Sequence, residues 1–177
     1  MTSPVRASPS LVLTFVGPDR PGLVNLIADA IAAHGGNWLE SRLANLAGAF
    51  AGVVQVQVSS SARAALIASL AGLEQEGLRI TVAAGQEAEA PAPDAQLKLE
   101  LVAHDRPGIV RDVTQTLTKL GVNIEEFSSE IESAPFTGEA LFKAQLHLSL
   151  PHELTEAAVR SALERLAHEL MVDIKTP

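Results

Sequence analysis

The sequence has no cysteine, no tyrosine and a single tryptophan, and aromatic residues make up 3% of its 177 positions. Without cysteine there is no disulfide framework, no zinc–thiolate site and no thiol nucleophile. That usage fits a reducing compartment. With so few rings, the core has to be built from Leu, Val, Ile and Ala. Basic residues are also scarce, 13 against 21 acidic ones, giving a formal charge of −8 and a pI near 5.1. No run of Lys and Arg compensates locally. Binding to DNA or RNA needs a basic footprint, so no direct nucleic-acid contact is expected. Long apolar runs are missing too. Leu11 to Val16 is too short for a signal-peptide core and is ended by Gly17-Pro18-Asp19-Arg20. Nowhere do about 18 apolar residues follow one another, so no membrane span is expected. A soluble, cytoplasmic protein is the default. At 47% hydrophobic and 19% charged, the chain is too apolar to be mainly disordered.

What is present is a repeat. A length prior of roughly 150 residues per domain gives one domain, but Asp19-Arg20-Pro21-Gly22 recurs as Asp105-Arg106-Pro107-Gly108, 86 residues later. At the same offset Leu11, Leu13 and Val16 match Leu97, Leu99 and Val102. Val24, Gly35, Asn37 and Glu40 match Val110, Gly121, Asn123 and Glu126. With a four-residue insertion, Gly48 pairs with Gly138 and Gln55 with Gln145. Such self-similarity marks a duplicated structural unit. The stretch 83–95 is rich in Ala, Pro and Glu without apolar periodicity, and reads as a linker. The expected domains are therefore 10–82 and 96–176, after a loose tail at 1–9.

Each copy carries the same element order. Leu97, Leu99 and Leu101 alternate with Lys98 and Glu100, a half-buried strand, and Leu11, Leu13 and Phe15 are the equivalents. Pro21-Gly22 opens a helix, Pro being tolerated in its first turn. Leu23, Leu26, Ile27, Ala30 and Ile31 share one helical face, as do Val110, Val113, Leu117 and Leu120. Gly35 and Gly121 stand at the expected C-terminal caps. A strand from Asn37 or Asn123, a turn, and a returning strand over 53–58 or 142–150 follow. A second helix is predicted over 62–76 and 153–169, the latter with Val159, Leu163, Leu166 and Leu170 on one face, and a last strand over 78–82 and 171–175. The order βαββαβ, twice, predicts an α+β fold. It consists of two ferredoxin-like domains, each a four-stranded antiparallel sheet with both helices on one face.

The repeated loop lies between first strand and first helix. A helix N-terminus offers unpaired N–H groups and the positive end of the helix dipole, which suit a small anion such as a carboxylate. Gly22 and Gly108 remove a Cβ that would block close approach. Asn37 and Asn123 open the next strand with an amide that both donates and accepts. Together such groups could hold the carboxylate and ammonium of an amino acid. Each residue also has a purely local use: Pro-Gly as a loop-to-helix junction, Asp as a cap, and Gly-x-Asn as a helix exit.

Asp-Arg-Pro-Gly-Leu-Val followed by His-Gly-Gly-Asn, and His-Asp-Arg-Pro-Gly-Ile-Val followed by Leu-Gly-Val-Asn, resemble the ACT domain across both copies. More narrowly, Asn37-Trp38-Leu39-Glu40-Ser41-Arg42-Leu43-Ala44 with Gly48-Ala49-Phe50-Ala51-Gly52 resembles the glycine cleavage system transcriptional repressor family. So do Ala134-Pro135-Phe136 and Leu141-Phe142-Lys143-Ala144. The resemblance implies a non-enzymatic regulator that senses a small amino acid, glycine above all. It would act through protein contact with a DNA-binding transcriptional activator, without cofactor or metal. Its ligand residues would be Asp19, Arg20, Gly22, Leu23 and Asn37 in the first copy, and Asp105, Arg106, Gly108, Ile109 and Asn123 in the second. A free-standing module regulating a metabolic enzyme is the alternative. Side-by-side sheets, face-to-face sheets and a homodimer all satisfy the pattern.

Catalytic readings are weak. His104-Asp105 is half of an acid–base or metal pair that could serve a small hydrolase, but its counterpart is Pro18-Asp19 and no second pair has ligand spacing. His147 lies between core-facing Leu146 and Leu148, His34 sits at a helix end, and His152 and His168 fall on the second helix with solvated character. Glu125-Glu126 and Glu130 with Glu132 read as an exposed acidic edge. No Gly-x-Ser-x-Gly elbow, phosphate loop or His-Glu-x-x-His motif occurs.

Overall fold

The structure is a computed structural model that describes residues 10–85, 95–134, 138–166 and, for its backbone course, 171–175. The tail at 1–9, most of the expected linker, Pro135, Phe136, His168 and Leu170 lie outside the described residues. The chain divides into two compact units, 1–88 and 89–177. No helix of the described residues is long and apolar enough to cross a membrane.

The first unit runs β1 (Ser10–Pro18), α1 (Leu23–Ala33), β2 (Asn37–Leu46), β3 (Ala49–Gln57), α2 (Arg63–Gly72), a 3-10 turn (Leu73–Glu76) and β4 (Arg79–Ala84). The second repeats the order with β5 (Ala95–His104), α3 (Ile109–Lys119), β6 (Asn123–Ser133), β7 (Ala140–Leu150), α4 (Glu156–Glu164) and β8 (Met171–Lys175). Both sheets are antiparallel, in the orders β2-β3-β1-β4 and β6-β7-β5-β8. This is the βαββαβ arrangement expected of each copy. In β1, Leu11, Leu13 and Phe15 are buried, and so are Leu97, Leu99 and Leu101 in β5. The period of two puts each set on one face of its sheet. Leu23, Ile27 and Ile31 of α1 and Leu66 and Leu70 of α2 join the first core. Ile109, Val113 and Leu117 of α3 and Val159 and Leu163 of α4 join the second. Both helices of a unit therefore cover the same sheet face.

Several boundaries differ from the sequence reading. The first helix starts at Leu23, with Gly22 as its N-cap, so Pro21 lies outside the helix rather than in its first turn. The second helix of the first unit ends at Gly72 and tightens into the 3-10 turn. α4 begins at Glu156, where the Thr155 hydroxyl accepts from the Ala158 N–H at 3.3 Å. His152 is consequently in the preceding turn rather than on the helix. β4 extends to Ala84, two residues past the apolar alternation that marked it.

Strand register corrects the match between the copies. Thr14 pairs with Val53 and Glu100 with Gln145, so Val53, not Gln55, is the counterpart of Gln145. The difference lies in the hairpins. Leu46 and Ala49 enclose a two-residue turn, whereas β6 and β7 part at Ser133 and Ala140. Both outer strands carry a bulge at the same place, between Trp38 and Glu40 and between Ile124 and Glu126. The bulge sets Glu126 opposite His147, whose Nδ1 lies 3.2 Å from the carboxylate, so this glutamate belongs to a cross-strand pair.

Candidate functional site

Each repeated loop leaves the end of an inner strand of its sheet and turns into a helix. Gly22 at φ 92° and Gly108 at φ 85° occupy the left-handed region, where a side chain is strained. The turn therefore requires glycine in both copies. Each glycine carbonyl closes the first helical bond, from Leu26 N–H at 3.0 Å and from Asp112 N–H at 3.0 Å. No side chain caps α1 or α3, so the expected Asp cap is not formed. The side chains of Leu23 and Ile109 are buried, which leaves only their backbone to face a ligand.

In the first unit the loop is fixed by other elements. The Asp19 N–H donates to Gly48 O at 2.9 Å, and the Asp19 carboxylate accepts from the Asn45 side-chain amide. Arg20 reaches the 3-10 turn, donating to Glu76 O at 3.0 Å and to its carboxylate at 2.9 Å. No acidic residue occupies the first turn of α1. An added Cβ at Gly22 would meet no heavy atom within 4 Å, so the glycine face is open.

The second loop differs in its electrostatics. The Asp105 N–H donates to Ala140 O at 2.9 Å, but Arg106 turns back on its own helix and holds Asp112 at 2.8 Å. Arg111 approaches the same carboxylate at 3.2 Å. These two guanidinium groups, Arg106 first, hold the Asp112 carboxyl below its ordinary value of 3.8. Asp112 thus places a charged carboxylate in the first turn of α3, where it already answers the helix dipole. The Ile109 N–H also bends back to Arg106 O at 3.3 Å. An added Cβ at Gly108 would lie 3.5 Å from the Arg111 guanidinium.

The asparagines do not join these loops. Asn37 pairs with Gln57, the partner of Ser10, whereas the loop leaves β1 at Pro18, opposite Ala49. Eight residues of strand at about 3.3 Å each separate the two. Asn123 likewise pairs with Ser149, the partner of Gln96, at the far end of β5 from His104. Within one domain the amide and the loop lie at opposite ends of the sheet, because the helix returns the chain to its starting edge before β2 begins. Asn37 and Asn123 are therefore removed from the single-domain site. Asn45, Glu76 and Asp112 are the residues missed in the sequence. Asp112, four positions after the loop glycine, carried the only local signal.

The histidines take structural positions. Nδ1 of His34 lies 2.8 Å from Ala30 O at the end of α1. Nδ1 of His104 lies 3.7 Å from the Glu139 carboxylate, both about half exposed. Among the described residues no group of three or more His, Asp and Glu could hold a metal ion.

Comparison with known proteins follows the same division of the chain. ACT-domain family profiles match residues 10–83 and 98–168. The glycine cleavage system transcriptional repressor of Escherichia coli (strain K12) is 28% identical over 162 residues, spanning 90% of this chain and 85% of that protein. The protein of the same name in Shigella flexneri matches equally. Among solved structures, an unknown protein from Galdieria sulphuraria is 30% identical, with a TM-score of 0.77 over 94% of this chain and 97% of that one.

Proposed function

The chain belongs to the ACT-domain family, with two of its domains in tandem, and we propose that it senses a small amino acid through the Asp19–Leu23 loop of its first domain. It is a distant homologue of the glycine cleavage system transcriptional repressors, and that homology makes it a regulatory protein rather than a catalyst. The observation that carries the proposal is the uncapped start of α1, which has a glycine at the N-cap and no acid in its first turn. Backbone N–H groups there receive the ligand carboxylate. Asp19, three residues upstream and oriented by Asn45, supplies the charge that its ammonium requires. The open face at Gly22 favours a ligand with little or no side chain, and glycine is the first candidate. The second loop, with Asp105, Arg106, Gly108 and Ile109, is followed by the charge of Asp112 in the first turn of its helix, which disfavours a further anion there.

Signal output runs through protein contact, with a DNA-binding activator of glycine cleavage genes as the proposed partner. The acidic balance, −8 overall, suits a repressor that never touches DNA. Calorimetric titration of the full chain with glycine, alanine and serine tests the ligand. One site per chain is expected, lost in Gly22→Val and Asp19→Asn and retained in Gly108→Val. Two equivalent sites, or retention in Gly22→Val, would overturn the assignment to the first loop. Affinity capture with and without glycine tests the partner. Recovery of a metabolic enzyme in place of a transcription factor would favour allosteric control of that enzyme.

A further inference from the structure

The two sheets differ most on the faces that no helix covers. Among the described residues nine large apolar side chains are exposed, and seven of them, Val16 and Val53 included, belong to the first unit. Register orders the open face of its sheet. Arg42, Val53, Thr14 and Thr81 form the central row across the four strands. Val12 and Ala83 lie in the row on one side, and Val16, Ala51 and Ala44 in the row on the other. A groove of about 200 Å³ lies over Val12 and Val53, with Gln55 and Arg42 beside it. It has room for an aliphatic side chain from outside. Leu46, 78% exposed, stands at the end of the same face. Contiguous apolar surface rimmed by polar residues marks a protein contact.

Charge and area both point to the partner. Glu40 and Arg42 hold each other at 3.0 Å on the outer strand, and Arg79 stands on the opposite edge, so this face carries no excess of acid. The equivalent rows of the second sheet carry Lys98, Glu100, Lys143, Glu126 and Glu130, with acids in excess. A chain of net charge −8 repels its own copy. The first open face is where two copies can approach without bringing an excess of carboxylates together. Strands about 4.8 Å apart, rising about 3.3 Å per residue, give this face about 500 Å² in plan. Two such faces bury about 1,000 Å², the size at which a specific interface begins, and side-chain relief adds to that figure. Sheets stack face to face about 10 Å apart, a spacing that the small Ala44, Ala51, Ala83 and Thr81 permit.

We propose that the open face of the first sheet packs against the same face of a second copy, forming a two-fold dimer. Sedimentation equilibrium of the full chain, from micromolar to millimolar concentration, tests it. A monomer of 18.6 kDa in equilibrium with a species of twice that mass is expected. Thr14→Glu and Val53→Glu each place a carboxylate in the middle of the face, at an exposed position outside the core. Each should weaken the dimer at least about tenfold, with the circular dichroism of the parent retained. Gln145→Glu, at the position of the second sheet equivalent to Val53, should leave the dimer unchanged. Gly22→Val should keep the dimer while losing amino-acid binding, so this proposal and the amino-acid reading fail separately. The proposal is overturned if the chain stays monomeric, its face then being covered by another part of the chain or by a different protein. It is also overturned if a dimer survives both Thr14→Glu and Val53→Glu in folded protein, or if Gln145→Glu dissociates it equally.

Discussion

The two domains share a backbone and a loop, and they differ wherever side chains face something other than that backbone. In the first, Phe15 pairs with Gly52; in the second, Leu101 pairs with Ala144. A larger ring stands against no side chain in one core, and a smaller residue stands against a methyl in the other. Close packing forces this trade, because interiors have no spare volume. A Cβ at Gly52 would lie 2.8 Å from the Phe15 ring, 2.4 Å from Leu43 Cδ2 and 2.9 Å from Arg42 O. The Phe15 ring also leans on Phe50, with centroids 5.6 Å apart. Outside the core there is no such constraint, and the open faces have drifted far apart. Val12, Val53 and Ala51 stand on one face where Lys98, Gln145 and Lys143 stand on the other. The loop turn, fixed by a positive φ, is retained in both.

The largest expected effect comes from breaking the packing trade. Gly52→Ala should cost about 1–3 kcal/mol by overpacking, read from urea unfolding. Adding Phe15→Leu converts the pair to that of the second domain and should recover part of the loss, the Leu43 side-chain and Arg42 carbonyl contacts remaining. No recovery would mean that the ring is not what excludes the methyl. Next comes the turn. Gly22→Val and Gly108→Val should each cost about 1–2 kcal/mol, since both force a β-branched residue to positive φ. Their stability losses should be similar while only the former abolishes amino-acid binding, so calorimetry separates what unfolding does not.

The loops also differ in how far they were legible. Alternating Leu in β5 and the helical spacing of Val113 and Leu117 reveal strand and helix because burial imposes those periods directly. The tandem division followed from a motif that the turn itself preserves. Register between the copies was not legible beyond the hairpin, since an insertion in a loop leaves no mark on a strand of period two; Gln55 and Gln145 align as letters and not in space. The site was read only in part. Asp19, Arg20 and Gly22 are contiguous, and contiguity survives folding. Asn37 follows the loop closely in sequence but stands a full strand length away. Conversely, Asn45 and Glu76 are distant in sequence and adjacent in space. A smaller effect tests the latter contact: Arg20→Ala should destabilise the first domain by less than about 1 kcal/mol, because Arg20 and Glu76 are both about half exposed and screened. The deficit should shrink further as salt rises.

The smallest effect is a difference in acid sensitivity between the loops. Position 26 is a Leu packed against its core, and its counterpart, 112, is an Asp held by Arg106 and Arg111. Because the arginines lower the carboxyl below its ordinary 3.8, the folded state binds that proton less readily than the unfolded chain does. The contribution is then complete above the unfolded value and lost as pH falls through the folded one. Asp112→Asn should therefore have a lower urea midpoint than the parent at neutral pH. The gap should close as the solution is acidified below that range, as the parent's own carboxyl protonates. Leu26→Ala removes apolar contact and no charge, so its deficit should stay constant over the same titration. A gap for Asp112→Asn that persists in acid would show that the difference does not depend on the carboxylate charge, and the two loops would then differ in shape rather than in charge.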